Sequence, residues 1–77
     1  MITEKVSLNT IEAVKEFVDI VSRYDVDMEL VSGRYVIDAK SIMGIFSIDL
    51  SSPIALCIHE NREEAEEILG RLKKFIV

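Results

Sequence analysis

Residues that commonly build catalytic and metal centres are scarce in this 77-residue sequence, which contains one cysteine, one histidine and no tryptophan. The single cysteine, Cys57, cannot form a disulfide within the chain, which is typical of a reducing compartment, and we expect a cytoplasmic protein. Because no histidine, cysteine or acidic residues recur with the spacing of zinc ligands, we expect neither a metal nor a cofactor.

Long apolar runs and basic clusters are also missing. No uninterrupted apolar segment approaches the roughly 20 residues of a membrane helix, and the start, MITEKVS, has no basic region followed by a hydrophobic one. Fourteen acidic against nine basic residues give a net charge of −5 at pH 7. Because nucleic-acid binders usually carry a basic patch, we expect neither a nucleic acid nor a membrane as partner.

The residues that are present predict one small domain spanning residues 1–77. Single domains rarely divide below about 100 residues. Hydrophobic residues make up 49% of the chain, which is enough for a thin core. No repeat, linker or low-complexity segment interrupts the sequence, so we expect a two-layer scaffold rather than a disordered chain.

Hydrophobic periodicity predicts a strand and a helix in the first third of the chain. Residues 2–8 mostly alternate, which is typical of a half-buried strand. Asn9 is predicted to open the helix that follows, since Asn9 and Glu12 have the spacing of a capping box. Apolar residues then recur every three or four positions along one helical face: Val14, Phe17, Val18, Val21 and Tyr24.

The second half of the chain predicts a hairpin, a central strand and a last helix. Two segments, residues 26–31 and 34–39, flank a tight turn predicted at Ser32 and Gly33. Residues 54–58 are continuously apolar, which is typical of a central strand. Asn61 is expected to cap a helix whose buried stripe is Ala65, Ile68, Leu69, Leu72 and Ile76. The order β-α-β-β-α-β-α predicts an α+β fold with helices on one face of a small sheet.

Between the hairpin and the central strand, Ser41 is a favourable N-cap for a short helix over residues 42–47. A helix of this length cannot turn every apolar side chain inward, so we expect part of Ile42, Met43 and Phe46 to remain exposed. Exposed apolar patches often mark partner sites. We refer to Lys40 together with these three residues as the helix-2 surface.

The segment KSIMG, residues 40–44, resembles the serine-phosphorylation signature of the HPr family, the histidine-containing phosphocarriers of the bacterial sugar phosphotransferase system. The resemblance covers nearly the whole chain, although the ending SPIALCIHENREEAEEILGRLKKF follows a more generic pattern. It implies an open-faced β-sandwich, with a four-stranded antiparallel sheet and three helices on one side. The order of elements derived above agrees with that fold.

The start of the first helix departs from the family pattern, which is close to Leu-His-Ala-Arg-Pro. Asn9 falls where the resemblance places the phosphorylatable histidine, and Ile11 falls where it places the arginine. An amide nitrogen is not nucleophilic, and without the guanidinium nothing pairs with phosphoryl oxygens. Glu12 adds a negative charge in the same turn. We therefore expect no catalytic residue and no histidine-based phosphotransfer.

Loss of the histidine with retention of the serine makes the chain similar to Crh-like members of the family. The resemblance implies that a dedicated kinase phosphorylates Ser41 and that proteins dock on the helix-2 surface. A phosphate is electrostatically favourable at a helix N-terminus, and we expect Lys40 to help pair with it. The partners implied are this kinase, a transcription regulator in catabolite repression, or phosphotransferase-system proteins. A serine that serves only as a helix cap is the structural alternative.

Two further residues have side chains that could build a site. His59 is the only histidine, and beside Glu60 it is more typical of a solvated loop residue than of a relocated phosphate acceptor. Cys57 lies in an apolar strand, which favours a buried structural thiol.

Three functions remain open from the sequence. The leading hypothesis is a regulatory or adaptor protein of the phosphotransferase system without enzyme activity. The second is an active phosphocarrier with an atypical acceptor such as His59. The third is an interaction domain without any link to sugar uptake.

Overall fold

The computed structural model describes all residues, 1–77, as four strands and three helices. The strands are β1 (Ile2–Val6), β2 (Met28–Ser32), β3 (Tyr35–Asp38) and β4 (Ile54–Ile58). The helices are α1 (Ile11–Val21), α2 (Ile42–Phe46) and α3 (Arg62–Arg71), and a 3-10 turn, Lys73–Phe75, follows the last helix. None of the helices is both long and apolar enough to span a bilayer.

The four strands form one antiparallel sheet in the order β1-β4-β2-β3. The continuously apolar segment β4 lies between β1 and β2, which confirms its prediction as a central strand. The three helices cover one face of this sheet. The predicted α+β class, the β-α-β-β-α-β-α order and the open-faced sandwich are therefore confirmed.

The core lies between the sheet and the helices. Ile54, Leu56 and Ile58 alternate along β4 and are almost completely buried, because alternate side chains of a strand share one face. The helices contribute buried side chains at the spacing predicted for one helical face: Val14, Phe17, Val21, Ala65, Ile68 and Leu72. Of the other residues predicted for these stripes, four are only partly buried: Val18, Tyr24, Leu69 and Ile76.

The first helix begins one residue later than predicted. Thr10, not Asn9, is the N-cap, and its side-chain oxygen accepts a hydrogen bond from the backbone N–H of Ala13 at 3.0 Å. Both residue types are good caps. The predicted capping box between Asn9 and Glu12 is therefore wrong. β1 also ends at Val6, before Leu8 enters the core.

The hairpin turn lies one residue further along than predicted. Ser32 pairs with Tyr35, so the two-residue loop is Gly33-Arg34 rather than Ser32-Gly33. Gly33 has a φ of 60°, whereas no other residue has a positive φ. A positive φ at the first loop position alone is the pattern of a type II′ turn, and glycine adopts it without steric cost.

The end of the chain closes the domain in a way that the periodicity of α3 did not predict. The helix gives way to the 3-10 turn after Leu72, which rotates Phe75 into the core instead of Ile76. The next residues then run beside β1, where Ile76 and Val6 form an antiparallel bridge.

Candidate functional site

The start of α1 is the place where the family resemblance puts a phosphate acceptor. Asn9 is exposed in the loop between β1 and α1, just before the Thr10 cap. Ile11, the first residue of the helix, leaves 57% of its surface exposed. Glu12 is the acidic residue of the first turn. This helix end thus presents an amide, an aliphatic side chain and a carboxylate.

These side chains make a poor environment for a phosphoryl group. The N–H of Ala13 already donates to Thr10, which uses one of the free N–H groups that an anion would meet at a helix start. No basic residue occurs between Asn9 and Val14, and the Glu12 carboxylate would repel a phosphate. The local chemistry fits a capped helix without a bound anion.

Ser41 is the N-cap of α2, as predicted. Its backbone is extended, with φ −96° and ψ 103°, and its hydroxyl oxygen accepts a hydrogen bond from the N–H of Gly44 at 3.1 Å. A Cβ at position 44 would approach Ser41 Oγ to 3.1 Å, so the absence of a side chain at Gly44 allows this close cap. At the other end of the helix, the Ser47 hydroxyl donates to the Gly44 carbonyl at 2.6 Å.

The helix-2 surface has the exposure that the short helix predicted. Ile45 is fully buried and anchors α2 to the core. Met43 leaves 77% of its surface exposed and Phe46 leaves 42%, whereas Ile42 is half-buried. Met43 therefore lies largely in solvent close to the Ser41 cap, and Phe46 is partly exposed at the end of the helix.

Lys40 has a structural contact that no local pattern could predict. Its Nζ donates a hydrogen bond to the backbone carbonyl of Tyr24 at 2.6 Å, and its backbone N–H donates to Asp38 Oδ1 at 2.9 Å. The ammonium group thus joins the segment before α2 to the turn that follows α1. A phosphate on Ser41 would have to compete with this carbonyl for the ammonium group.

His59 lies away from the start of α1. It directly follows Ile58, which pairs with Ile2, whereas Asn9 lies beyond Val6 at the opposite end of the same pair of strands. The strand length that separates the two ends is about 14 Å. His59 is exposed, as predicted, and its Nε2 lies 2.8 Å from Glu29 Oε1.

Cys57 is buried, as its position in an apolar strand predicted. It pairs with Thr3 of β1, whose hydroxyl lies 3.6 Å from the sulfur and can donate to it. Its side chain lies on the sheet face opposite that of Leu56, because neighbouring residues of a strand point to opposite faces. The Cys57 thiol therefore lies on the sheet face away from the helices and their starts.

Comparison with known proteins identifies the family. The family model described as the PTS HPr component phosphorylation site matches residues 3–77. The chain belongs to the HPr family. It is therefore related to the phosphocarriers of the phosphotransferase system, although its only histidine is His59.

Solved structures of HPr family proteins have the same fold. The phosphocarrier protein HPr from Bacillus anthracis is 25% identical, with a TM-score of 0.74, and the match covers 99% of this chain and 96% of that protein. HPr-C-His from Thermoanaerobacter tengcongensis is 26% identical, with a TM-score of 0.71 and coverage of 92% and 86%.

The third similar structure is the catabolite repression protein Crh from Bacillus subtilis. It is 28% identical, with a TM-score of 0.67, and the match covers 90% of this chain and 78% of that protein. That structure is described as an intertwined dimer with a swapped domain. No curated protein matches the chain.

Proposed function

We propose that this HPr family protein does not transfer phosphoryl groups through histidine and instead acts as a regulatory or adaptor protein. It binds protein partners through the helix-2 surface, and phosphorylation of Ser41 regulates that binding. The observation that carries the proposal is the contrast between the two helix starts. The start of α1 holds Asn9 and Ile11 in place of a phosphate site, and the start of α2 keeps a serine cap beside exposed Met43.

Loss of carrier activity follows from the chemistry of the α1 start. A phosphoryl carrier needs a nucleophilic nitrogen that accepts the group and releases it again. The lone pair of the Asn9 amide is delocalised, and Ile11 provides no donor for phosphoryl oxygens. Where the family pattern has an arginine, this chain has the exposed aliphatic side chain of Ile11. Such a side chain favours a protein contact at this helix end over an anion contact.

Phosphorylation of Ser41 is compatible with its place in α2. A kinase would transfer the γ-phosphoryl group of ATP to Ser41 Oγ, with release of ADP and loss of the hydroxyl proton. Phosphate oxygens could then accept the hydrogen bond that Gly44 N–H donates to the hydroxyl now. Negative charge is favourable at a helix N-terminus, and Lys40 is the nearest cation in sequence.

The partners that fit this surface are proteins with an apolar contact region. Met43 and Phe46 would enter that contact, and phosphate at the adjacent serine would add charge that a basic partner side chain can recognise. A serine kinase, a transcription regulator of catabolite repression and phosphotransferase-system proteins are the partner classes that the family relationship supports. We place this activity in the cytoplasm.

The proposal is tested by intact-mass measurement after incubation with a bifunctional HPr kinase and ATP. Wild-type protein should gain one phosphate, the Ser41→Ala variant should gain none, and the Ser47→Ala variant should behave as wild type. An ordinary HPr labelled in parallel shows that the kinase is active. Failure to label wild type under those conditions would limit Ser41 to its capping role and refute the switch.

The runner-up is a phosphocarrier that uses His59. One observation favours it: the Glu29 carboxylate contacts the ring at Nε2, and a carboxylate in that position can orient an imidazole. Phosphoenolpyruvate-dependent labelling by a bacterial phosphotransferase system separates the two functions. Under the leading proposal wild type stays unlabelled, whereas label that disappears in the His59→Ala variant would establish the carrier.

A double variant provides a positive control for that experiment. Asn9→His with Ile11→Arg returns an imidazole and a guanidinium to the start of α1. We expect this variant to gain phosphoenolpyruvate-dependent label if the rest of the phosphocarrier surface is intact. If neither the wild type nor this double variant is labelled, the result would favour an interaction domain without a link to sugar uptake.

A further inference from the structure

The two edges of the sheet differ in how their backbone groups are satisfied. At β1, the end of the chain occupies the outer edge: Ser7 N–H donates to the Phe75 carbonyl at 2.8 Å, and Val77 N–H donates to the Lys5 carbonyl at 3.1 Å. The Val6–Ile76 bridge lies between these bonds. Half of this edge is therefore covered by the protein's own chain.

The edge at β3 has no such cover. Tyr35 closes the two-residue hairpin opposite Ser32, and Ala39 N–H donates to the Met28 carbonyl at 3.0 Å. Bonded and non-bonded pairs alternate in an antiparallel ladder, so Val36, opposite Val31, belongs to a non-bonded pair. Its N–H and C=O therefore point outward from the sheet.

The side chains of this edge are more apolar than is usual for a free strand. Tyr35 leaves 68% of its surface exposed and Val36 leaves 57%. Proteins commonly protect free edges with lysine, proline, a bulge or a very short strand. β3 has no lysine, no proline and no bulge in its register with β2, and its protection is limited to its length of four residues and the charge of Asp38. The combination of outward backbone groups and exposed apolar side chains is typical of a strand that pairs with another chain.

We propose that β3 pairs with β3 of a second copy of this protein, antiparallel and centred on Val36. In that register, Val36 of each copy exchanges two backbone hydrogen bonds with Val36 of the other. Tyr35 then lies opposite Ile37 of the second copy, where its ring covers a half-buried aliphatic side chain. The two sheets join into one continuous antiparallel sheet across the two-fold axis.

Charge complementarity favours a second copy of this protein, rather than an unrelated strand, as the partner of β3. The same register places Arg34, the second residue of the hairpin loop, beside Asp38 at the end of the other β3, so one two-fold axis produces two opposite-charge contacts. Both side chains are exposed. Asp38 Oδ1 accepts the Lys40 N–H, which leaves Oδ2 for the partner guanidinium. Opposite charges across an antiparallel pair are stabilising, and like charges are destabilising.

The contact is small, because β3 has four residues. It falls well below the roughly 1,200 Å² of a stable interface, so we expect a weak dimer that is populated at high protein concentration. This inference does not depend on the proposed function of Ser41 or on the family's phosphocarrier chemistry.

Disulfide trapping tests the register. In a Cys57→Ser background, the Val36→Cys variant should form a covalent dimer in mild oxidant, since paired Cα atoms about 5.5 Å apart suit a disulfide. Glu4→Cys in the same background is the matched control, because Glu4 is exposed on the other edge strand, and it should cross-link far more slowly. Equal cross-linking of the two variants would overturn the β3 register.

Charge reversal tests the recognition. In sedimentation velocity at about 1 mM protein, Arg34→Glu should weaken the dimer about tenfold, since it replaces two attractive pairs with two repulsive ones. Asp38→Arg should weaken it similarly, and an equimolar mixture of the two variants should form a heterodimer. Asp38→Arg also removes the carboxylate that accepts the Lys40 N–H. Val36→Lys leaves that bond intact and places a charge at the centre of the paired strands. A monomeric wild type, or dimerisation unaffected by Arg34→Glu and Val36→Lys, would refute the proposal.

Discussion

The rings of Phe17 in α1 and Phe75 after α3 meet edge to face, with centroids 5.9 Å apart and planes at 84°. Both side chains are buried. The contact joins the first helix to the end of the chain, and the carbonyl of Phe75 accepts the Ser7 N–H beside β1. One aromatic pair thus connects two helical segments and an edge strand.

Replacement of Phe75 should therefore strongly destabilise the domain. Phe75→Ala is expected to lower the free energy of unfolding by about 3 to 5 kcal/mol, because it removes a buried ring and leaves a cavity. Urea denaturation measures the loss. Phe46→Ala is the control, since that side chain leaves 42% of its surface exposed, and its loss should be clearly smaller. Similar losses in the two variants would contradict the core role of Phe75.

The Ser41 cap should contribute measurable stability whether or not the serine is phosphorylated. Ser41→Ala removes the acceptor for Gly44 N–H and is expected to cost about 1 kcal/mol. Ser41→Asp retains an acceptor and should recover most of that loss. Ser52→Ala, in an exposed loop, is the control in the same urea series. An unchanged Ser41→Ala would show that the cap does not stabilise α2.

Two glycines should respond oppositely to the same substitution. A Cβ on Gly44 would lie 3.1 Å from Ser41 Oγ and 3.4 Å from Ser41 Cβ, so Gly44→Ala should disturb the cap and destabilise the protein. A Cβ on Gly70 would meet no neighbouring side chain within 4 Å, and alanine there should stabilise α3 by about 0.5 to 1 kcal/mol. Thermal unfolding of both variants checks the signs. Two shifts of the same sign would contradict one of these assignments.

Lys40 is expected to matter for stability as well as for the helix-2 surface. Lys40→Met keeps most of the aliphatic stem but removes the ammonium group that donates to the Tyr24 carbonyl, which should cost about 1 kcal/mol. Lys15→Met, on an exposed face of α1, is the matched control and should have little effect. Backbone amide shifts near Tyr24 should change only in the first variant. If they do not, the carbonyl contact is not formed in solution.

Asp49 should titrate below its ordinary range. The Ser51 hydroxyl and the Ser51 N–H both donate to Asp49 Oδ1, and these bonds lower the pKa of the carboxyl group. The stabilisation is present above the unfolded-state pKa and is lost as pH falls through the lowered value. Carboxyl NMR titration of wild type and Ser51→Ala should show an upward shift of the Asp49 pKa in the variant. An unshifted titration would exclude the hydroxyl as a cause.

The order of elements could be predicted from the sequence because it depends on local periodicity. Apolar residues at three- and four-residue spacing identify a helical face wherever the helix packs, and the continuous apolar run at Ile54–Ile58 identifies a central strand. The Ser41 and Asn61 caps were predictable for the same reason, since each side chain bonds an N–H three residues away.

The boundaries were less predictable where two neighbouring residues suit the same position. Asn9 and Thr10 are both good caps, and the folded chain uses Thr10, with Leu8 and Val14 buried on either side. In the hairpin, pairing between Ser32 and Tyr35 moves the turn to Gly33-Arg34. Periodicity does not contain this information, because it describes one segment at a time.

Some features of the candidate site were likewise predictable from local sequence, and others were not. Local sequence was enough to place Asn9 and Ile11 at the start of α1, and to show that Ser41 caps a helix too short to bury Met43 and Phe46 completely. Three contacts depend on the folded chain: Lys40 bonds the Tyr24 carbonyl, Glu29 contacts His59, and the outer backbone groups of β3 are left without a partner strand. These contacts join residues far apart in sequence, and their partners are set by strand register and chain closure, which no local pattern encodes.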